Sequence, residues 1–128
     1  MKNAVLRKCA ACLDFQDIRS IVFRLAQDDD VMVLMAGAAQ VNWNALRKHL
    51  GVSRVTMANE NELRAATGYE IGAVSPFGLK TPMRVIADPN VFAPDEISIG
   101  SGVRGTTVIL SSAALKRALG EMEMIPLA

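Results

Sequence analysis

The feature that most constrains this chain is a pair of apolar runs joined by acid: "DIRSIVFRL" (Asp17 to Leu25), "QDDD" (Gln27 to Asp30) and "VMVLMAG" (Val31 to Gly37). In the first run Ile18, Ser20 and Val22 alternate with Arg19, Ile21 and Phe23 in β-branched company, which is strand periodicity. The second is a short uninterrupted apolar run and reads as a buried strand. The acidic residues between them read as a hairpin turn, since they lack the glycine and the distal Glu of a calcium loop. A hairpin here breaks strict βαβ alternation. It argues against a doubly wound nucleotide fold and for a mixed sheet.

The rest of the chain extends that sheet. "NWNALRKHLG" predicts a helix capped by Asn42 or Asn44, with Trp43, Leu46 and Leu50 as its apolar stripe and Gly51 at its end. "RVTMA" (Arg54 to Ala58) predicts a short strand. "NENELRAATG" predicts a helix with Asn59 and Glu62 as a capping box and Gly68 as terminator. Strands follow at "MRVIAD", "EISIGSG" and "TTVILS", with a turn-rich "PNVFAPD" after the first, and "SSAALKRALGE" closes as a Ser-capped helix. At the N-terminus, Val5, Leu6, Cys9 and Leu13 have helical spacing. The expectation is an α/β fold, a mixed barrel-like sheet with surrounding helices, in a single domain over 1–128. A chain of 128 residues can bury one ordinary core.

Charge and cysteine usage exclude several classes. Lys plus Arg is 14 and Asp plus Glu 13, so a net charge of +1 supplies no overall field toward nucleic acid or membrane, and an RNA partner needs a local patch. No run of 18 apolar residues appears, and Arg7 and Lys8 interrupt the apolar residues of the N-terminus where a signal peptide has none. A cytoplasmic protein without membrane contact is expected. Cys9 and Cys12 are spaced C-x-x-C, but a zinc site needs four ligands and His49 is the one histidine. A redox pair normally follows a strand, so the helical spacing reads them as small buried residues. His49 falls in the last turn of its helix, where positive charge suits the dipole. No metal and no cofactor are expected.

The chemistry must lie elsewhere. No G-x-S-x-G is present, and Ser75 stands before a proline in V-S-P. "GSGVRG" (Gly100 to Gly105) lacks the Lys-Ser/Thr of a phosphate loop and precedes a strand; it reads equally as a plain turn or as one lining a ligand. More informative is "GYEIGAVSPFGL" (Gly68 to Leu79), where Gly72 permits close backbone approach and Pro76 fixes the chain direction. Such a loop binds a polar group through its main chain.

"TGYEIGAVSPFGL" resembles the central motif of the YbaK/prolyl-tRNA synthetase-associated domain family, trans-editing deacylases of mischarged aminoacyl-tRNA. "DIRSIVF" resembles the family strand reading Lys-Thr/Ser-Leu-Val-Phe, and "ISIGSGVRGTTVILSSAAL" its closing strand, glycine turn, strand and helix. The resemblance runs from Ala4 to Leu119. It implies a barrel-like sheet and a pocket for the aminoacylated 3′-terminal adenosine of tRNA. By the same resemblance Arg19, Gly72 and Pro76 take the catalytic positions, Arg19 standing where the family has lysine. Ser20, Ala73, Val74, Ser75, Phe77, Gly78, Gly100 and Gly102 line the substrate, and Val74, Phe77 and Leu79 form an apolar wall. The chain begins at what resembles the family's second helix, so an N-terminal segment is expected to be lacking, with a homodimer or synthetase partner over the exposed edge. Arg19 leaves two functions open: a deacylase, or a weak relative that binds aminoacyl-adenosine, tRNA or protein without turnover.

Overall fold

The computed structural model describes residues 5–8, 16–25, 29–70, 73–77, 79, 83–103 and 105–128. The hairpin is present: β2 (Gln16–Arg24) and β3 (Asp30–Ala36; β1 is given below) pair antiparallel from Ile18 opposite Ala36 to Arg24 opposite Asp30. Residues 26–28 of the acidic turn lie outside the described residues. β3 also pairs parallel with β5 (Arg84–Ala87), so it is an interior strand. Its Met32 and Leu34 pack with Ile18, Val22, Ile97, Ile99 and Leu115. Its Val31, Val33 and Met35 pack with Phe23, Leu46 and Ile86 in a second cluster on the opposite face. Two cores on one strand explain the uninterrupted apolar run, since each such side chain contributes about 1.5–3 kcal/mol when buried and a polar residue on either face would lose it.

Outside the hairpin, β6 (Glu96–Gly100) joins β2 in parallel and pairs antiparallel with β7 (Thr106–Ser111). At the other end β8 (Glu123–Met124) pairs parallel with β5. The described residues form an eight-stranded mixed sheet ordered β1, β7, β6, β2, β3, β5, β8, with the short β4 (Thr56–Met57) attached to β2. The three predicted helices cap as their sequences require. In α1 (Trp43–Leu50) the Asn42 side chain accepts the Ala45 N–H, and Gly51 ends the helix at φ +69°. In α2 (Glu60–Thr67) Asn59 and Glu62 form the reciprocal capping box. Ser111 caps α3 (Ser112–Leu119), which buries Ala114 and Leu115 in the first core. Trp43 meets the Phe23 ring edge-on at 5.1 Å, seating α1 on the second core.

The N-terminus corrects the sequence reading. Val5–Lys8 is a strand, β1, antiparallel to β7 from Val5 opposite Ile109 to Lys8 opposite Thr106. Helical spacing over so few residues yields to a ladder that satisfies the β7 edge, a non-local gain invisible to local periodicity. The expected family helix therefore does not open the chain at these residues, and the helical context that set a redox pair aside is not the one found. Cys9 and Cys12 lie outside the described residues.

The C-terminal residues are fastened under α1. Asp88, buried, accepts N–H groups from Asn90, Leu127 and Ala128, while the Leu127 carbonyl accepts the Asn42 N–H at 2.6 Å. Burial opposes the charge of Asp88, but these backbone donors outweigh it and hold the carboxyl below its ordinary range.

Candidate functional site

The decisive local fact is how β2 is partnered on the edge away from β3. Among the described residues β6 pairs with it at Gln16 and Asp17 and β4 at Phe23 and Arg24, with the Ala58 N–H reaching the Val22 carbonyl at 3.0 Å. Between these contacts the Ile18–Ile21 edge faces a cleft of about 320 Å³, with Ile99 and Gly100 of β6 and Thr106 of β7 opposite and Val74 beside them. An open strand edge exposes main-chain groups. Here the splaying of β2 from β6 turns that edge into the wall of a ligand-sized recess.

The glycine-proline loop is fixed against this recess by named bonds. Gly68 ends α2 at φ +82°, and the Thr67 hydroxyl, donating to the Leu63 carbonyl, accepts the Tyr69 N–H. The Tyr69 hydroxyl donates to the Phe77 carbonyl across the loop, and the Phe77 N–H donates to Ser75 Oγ at 3.1 Å. The Ala73 N–H donates to the Glu70 carbonyl, and the Ala73 carbonyl accepts the Gly102 N–H, both at 3.0 Å. Two glycines make the approach possible. A β-carbon on Gly100 would stand 2.0 Å from the Val74 carbonyl oxygen, and one on Gly102, at φ +91°, would stand 2.8 Å from the Tyr69 ring.

The residues singled out from sequence distribute as follows. Arg19, Ser20, Val74 and Gly100 line the cleft. Ala73, Ser75, Pro76 and Phe77 belong to the adjoining loop, the first three buried, and Gly102 holds the turn beneath Tyr69. Gly72 and Gly78 lie outside the described residues. Arg19 is exposed, and its guanidinium donates to the carbonyls of Gly37, at 2.7 Å, and Ala39. The rim thus carries a clamped arginine. Sequence reasoning missed Asp17 and Ser98, opposite one another across β2 and β6, where the Ser98 hydroxyl donates to the Asp17 carboxylate at the cleft. The only sequence signal for Asp17 was its position two residues before Arg19 on one strand face; nothing local marked Ser98.

His49 stands away from this cleft, in the last turn of α1 as expected, 2.7 Å from Glu123. Among the described residues no group of three His, Cys, Asp or Glu side chains could hold a metal ion. No helix of the described residues is long and apolar enough to cross a membrane.

A mixed sheet with one strand edge opened into a cleft and a glycine-proline loop packed against it defines an α/β domain with a ligand-sized recess. A solved structure described as a candidate trans-editing enzyme for prolyl tRNA synthetase superposes at a TM-score of 0.79 and 22% identity, covering 87% of this chain and 69% of that one. A structure of a hypothetical protein superposes at 0.84 and 20% identity, covering 97% and 90%. At such identities these two likenesses concern the fold. The chain belongs to the aminoacyl-tRNA editing domain family, whose model matches residues 6–118. The multifunctional Ser/Thr-tRNA deacylase ProXp-y of Escherichia coli K12 is 32% identical over 84 residues, 65% of this chain and 50% of that protein. A proline–tRNA ligase of Brachyspira hyodysenteriae is 28% identical over 91 residues, 71% of this chain and 16% of that protein. The chain spans half or less of the length of these curated relatives.

Proposed function

We propose that this domain hydrolyses the ester linking a wrong amino acid to the 3′-terminal adenosine of tRNA, with the ester held between the open β2 edge and the Ala73–Phe77 loop. The observation that carries the reading is the cleft itself, a recess lined by aliphatic and small residues with Asp17 and Arg19 among them, adjoining a loop fixed by Tyr69 and Gly102. An aminoacyl ester is already activated. Orientation of the ester and water, with preorganised donors for the developing oxyanion, supplies much of the acceleration without a nucleophilic side chain. Ala73, Ser75, Pro76 and Phe77 shape the loop side, with Gly72 and Gly78 assigned to it by the family resemblance alone; Val74 limits the size of the amino acid, and Gly100 and Gly102 admit the loop. Arg19 sits on the rim, where the N–H groups of its fork not spent on Gly37 and Ala39 meet the terminal nucleotide.

The partner is aminoacyl-tRNA, bound by local contacts, since the near-neutral charge provides no long-range attraction. A prolyl-tRNA synthetase or a second copy of the chain is the protein partner suited to the outer edge of β1. A second reading, binding without turnover, draws support from Arg19, whose guanidinium is already engaged by two carbonyls. One screen separates them. Purified protein is incubated with seryl-, threonyl-, alanyl- and cysteinyl-tRNA, including alanyl- and cysteinyl-tRNA(Pro), and free amino acid is followed; the first two substrates are included because the E. coli relative is named for them. Release from at least one mischarged tRNA at catalytic enzyme concentration is expected. Binding without release from any of them would establish the second reading.

A further inference from the structure

Asp17 stands at the cleft where β2 pairs with β6, just before the two strands part. It lies opposite Ser98 in the parallel ladder, and its carbonyl accepts the Gly37 N–H at 2.7 Å, so its main chain is held from both sides. Its side chain is exposed and lines the cleft, where it accepts the hydroxyl of Ser98, a residue only 1% exposed. A carboxylate accepts several hydrogen bonds, and one hydroxyl orients it without saturating it. Among the described residues no cationic side chain forms an ion pair with it, and Arg19, two residues on, gives its guanidinium to the Gly37 and Ala39 carbonyls. The wall of the recess therefore carries an oriented anion without a cation. Fastening β6 to β2 does not require that charge, since an asparagine accepts the same hydroxyl.

We infer that Asp17 binds the protonated α-amino group of the aminoacyl ester, with Ser98 as its positioning residue, so that the cleft takes esters with a free α-amine and rejects those whose nitrogen is acylated, as in peptidyl-tRNA. The inference rests on the deacylase reading above and adds the residue that holds the amine. Place on the strand selects this partner over the ribose or phosphate. Ser98 and Gly100 share one face of β6, two residues and about 7 Å apart, and the Val74 carbonyl crosses the strand at Gly100. An ester held beside that crossing has its α-nitrogen two bonds from the carbonyl carbon, directed along β6 to Asp17. A phosphate would be repelled there, and an acylated nitrogen is neutral and leaves the carboxylate unpaired in the filled recess. A site that leaves its own polar group unpaired discriminates strongly.

The test compares kcat/KM for one mischarged tRNA that the screen above finds to be a substrate with that for its N-acetyl derivative, in the wild type, Asp17→Asn and Ser98→Ala. The assay is run at about pH 6.5, below the roughly 7.7 at which a free α-amine loses its proton. Asp17→Asn keeps an acceptor for Ser98 and removes the charge. It is expected to lower the preference for the free-amine ester about tenfold, the worth of one charge-assisted hydrogen bond, by slowing that ester alone. Because the two proteins are compared, the intrinsic reactivities of the esters cancel. An unchanged preference, or an equal fall for both esters, overturns the inference while leaving the deacylase reading intact. Ser98→Ala is expected to lower the preference in the same direction, and an unchanged preference there overturns the part given to Ser98. If the wild type releases no amino acid from any tRNA, the deacylase reading fails. In that case, or if Asp17→Asn does not fold, calorimetric titration of the wild type with 3′-amide-linked alanyl-adenosine and propionyl-adenosine, which lacks only the amine, decides the inference. Binding about tenfold weaker for the propionyl compound supports it, and equal or absent binding overturns it.

Discussion

At the scale of single residues, Arg19 and Gly100 bear opposite burdens. Arg19 is a charged residue between Ile18 and Ser20 on a sheet strand, and the carbonyls of Gly37 and Ala39 explain how it is accommodated. A lysine is a point donor and cannot reproduce the planar fork across both carbonyls, so Arg19→Lys exchanges clamp for mobility. If Arg19 also meets the terminal nucleotide, Arg19→Ala is expected to slow deacylation by about 10²-fold, comparable to losing one preorganised donor, with Arg19→Lys retaining activity. Wild-type turnover in the alanine variant would leave Arg19 as a turn clamp alone. Gly100 is a steric case. Its missing β-carbon stands 2.0 Å from the Val74 carbonyl oxygen, which is backbone and cannot rotate aside. Gly100→Ala is expected to push the loop off β6, costing about 1–3 kcal/mol by denaturant titration, and to abolish binding of an aminoacyl-adenosine analogue. Unaltered affinity in that variant would show that the loop does not bound the site.

At the scale of elements, the described part of the loop between α2 and β5 is held by side-chain bonds together with the main-chain bond from Gly102 to Ala73. Tyr69 spans it, with its ring against Gly102 and its hydroxyl on the Phe77 carbonyl. Tyr69→Phe keeps the ring and removes one bond, a loss of about 1 kcal/mol in stability. Faster amide hydrogen exchange at residues 73–77 and a raised KM with kcat less affected are expected; exchange equal to wild type would mean that the Gly102 and Ser75 bonds suffice. This loop also marks the boundary of what could be read from sequence. Its glycines, its proline, the capping box of α2 and the serine cap of α3 were legible because each is local chemistry. The β2 and β3 hairpin was legible through its alternation and its continuous apolar run. Val5–Lys8 was not, because its strand state comes from β7, roughly a hundred residues on in a non-local ladder. Asp17 and Ser98 were missed for the same reason: strands far apart in sequence bring them together.

At the scale of the whole molecule, the C-terminal residues tie α1 to β5. β8 was not legible in "GEMEMIPLA", being two residues long and meaningful only beside β5. Its Glu123 carboxylate receives two bonds from the Arg84 guanidinium of β5 and one from His49 Nε2 of α1. The Arg84 bonds chiefly lower its pKa, burial opposes them and His49 adds to them, carrying the group from 4.5 to about 2. The folded value is depressed, so the unfolded chain takes up the proton first as pH falls. The stabilisation is complete above about pH 4.5 and is lost progressively as pH falls toward 2. The Glu123 side chain is 32% exposed, and solvent screening leaves the charge pairing worth about 1 kcal/mol. Asp88 is also lowered, so it works in the same direction and locks the same terminal residues through Leu127 and Ala128. Glu123→Gln is therefore expected to unfold at lower temperature than wild type at pH 7 and to approach it as pH falls below 3, since protonated Glu and Gln both lack the charge that Arg84 and His49 bind. Melting curves across that range check the assignment; a constant difference between the two proteins from pH 7 to pH 2.5 would mean that Glu123 stabilises the fold by shape and not by charge.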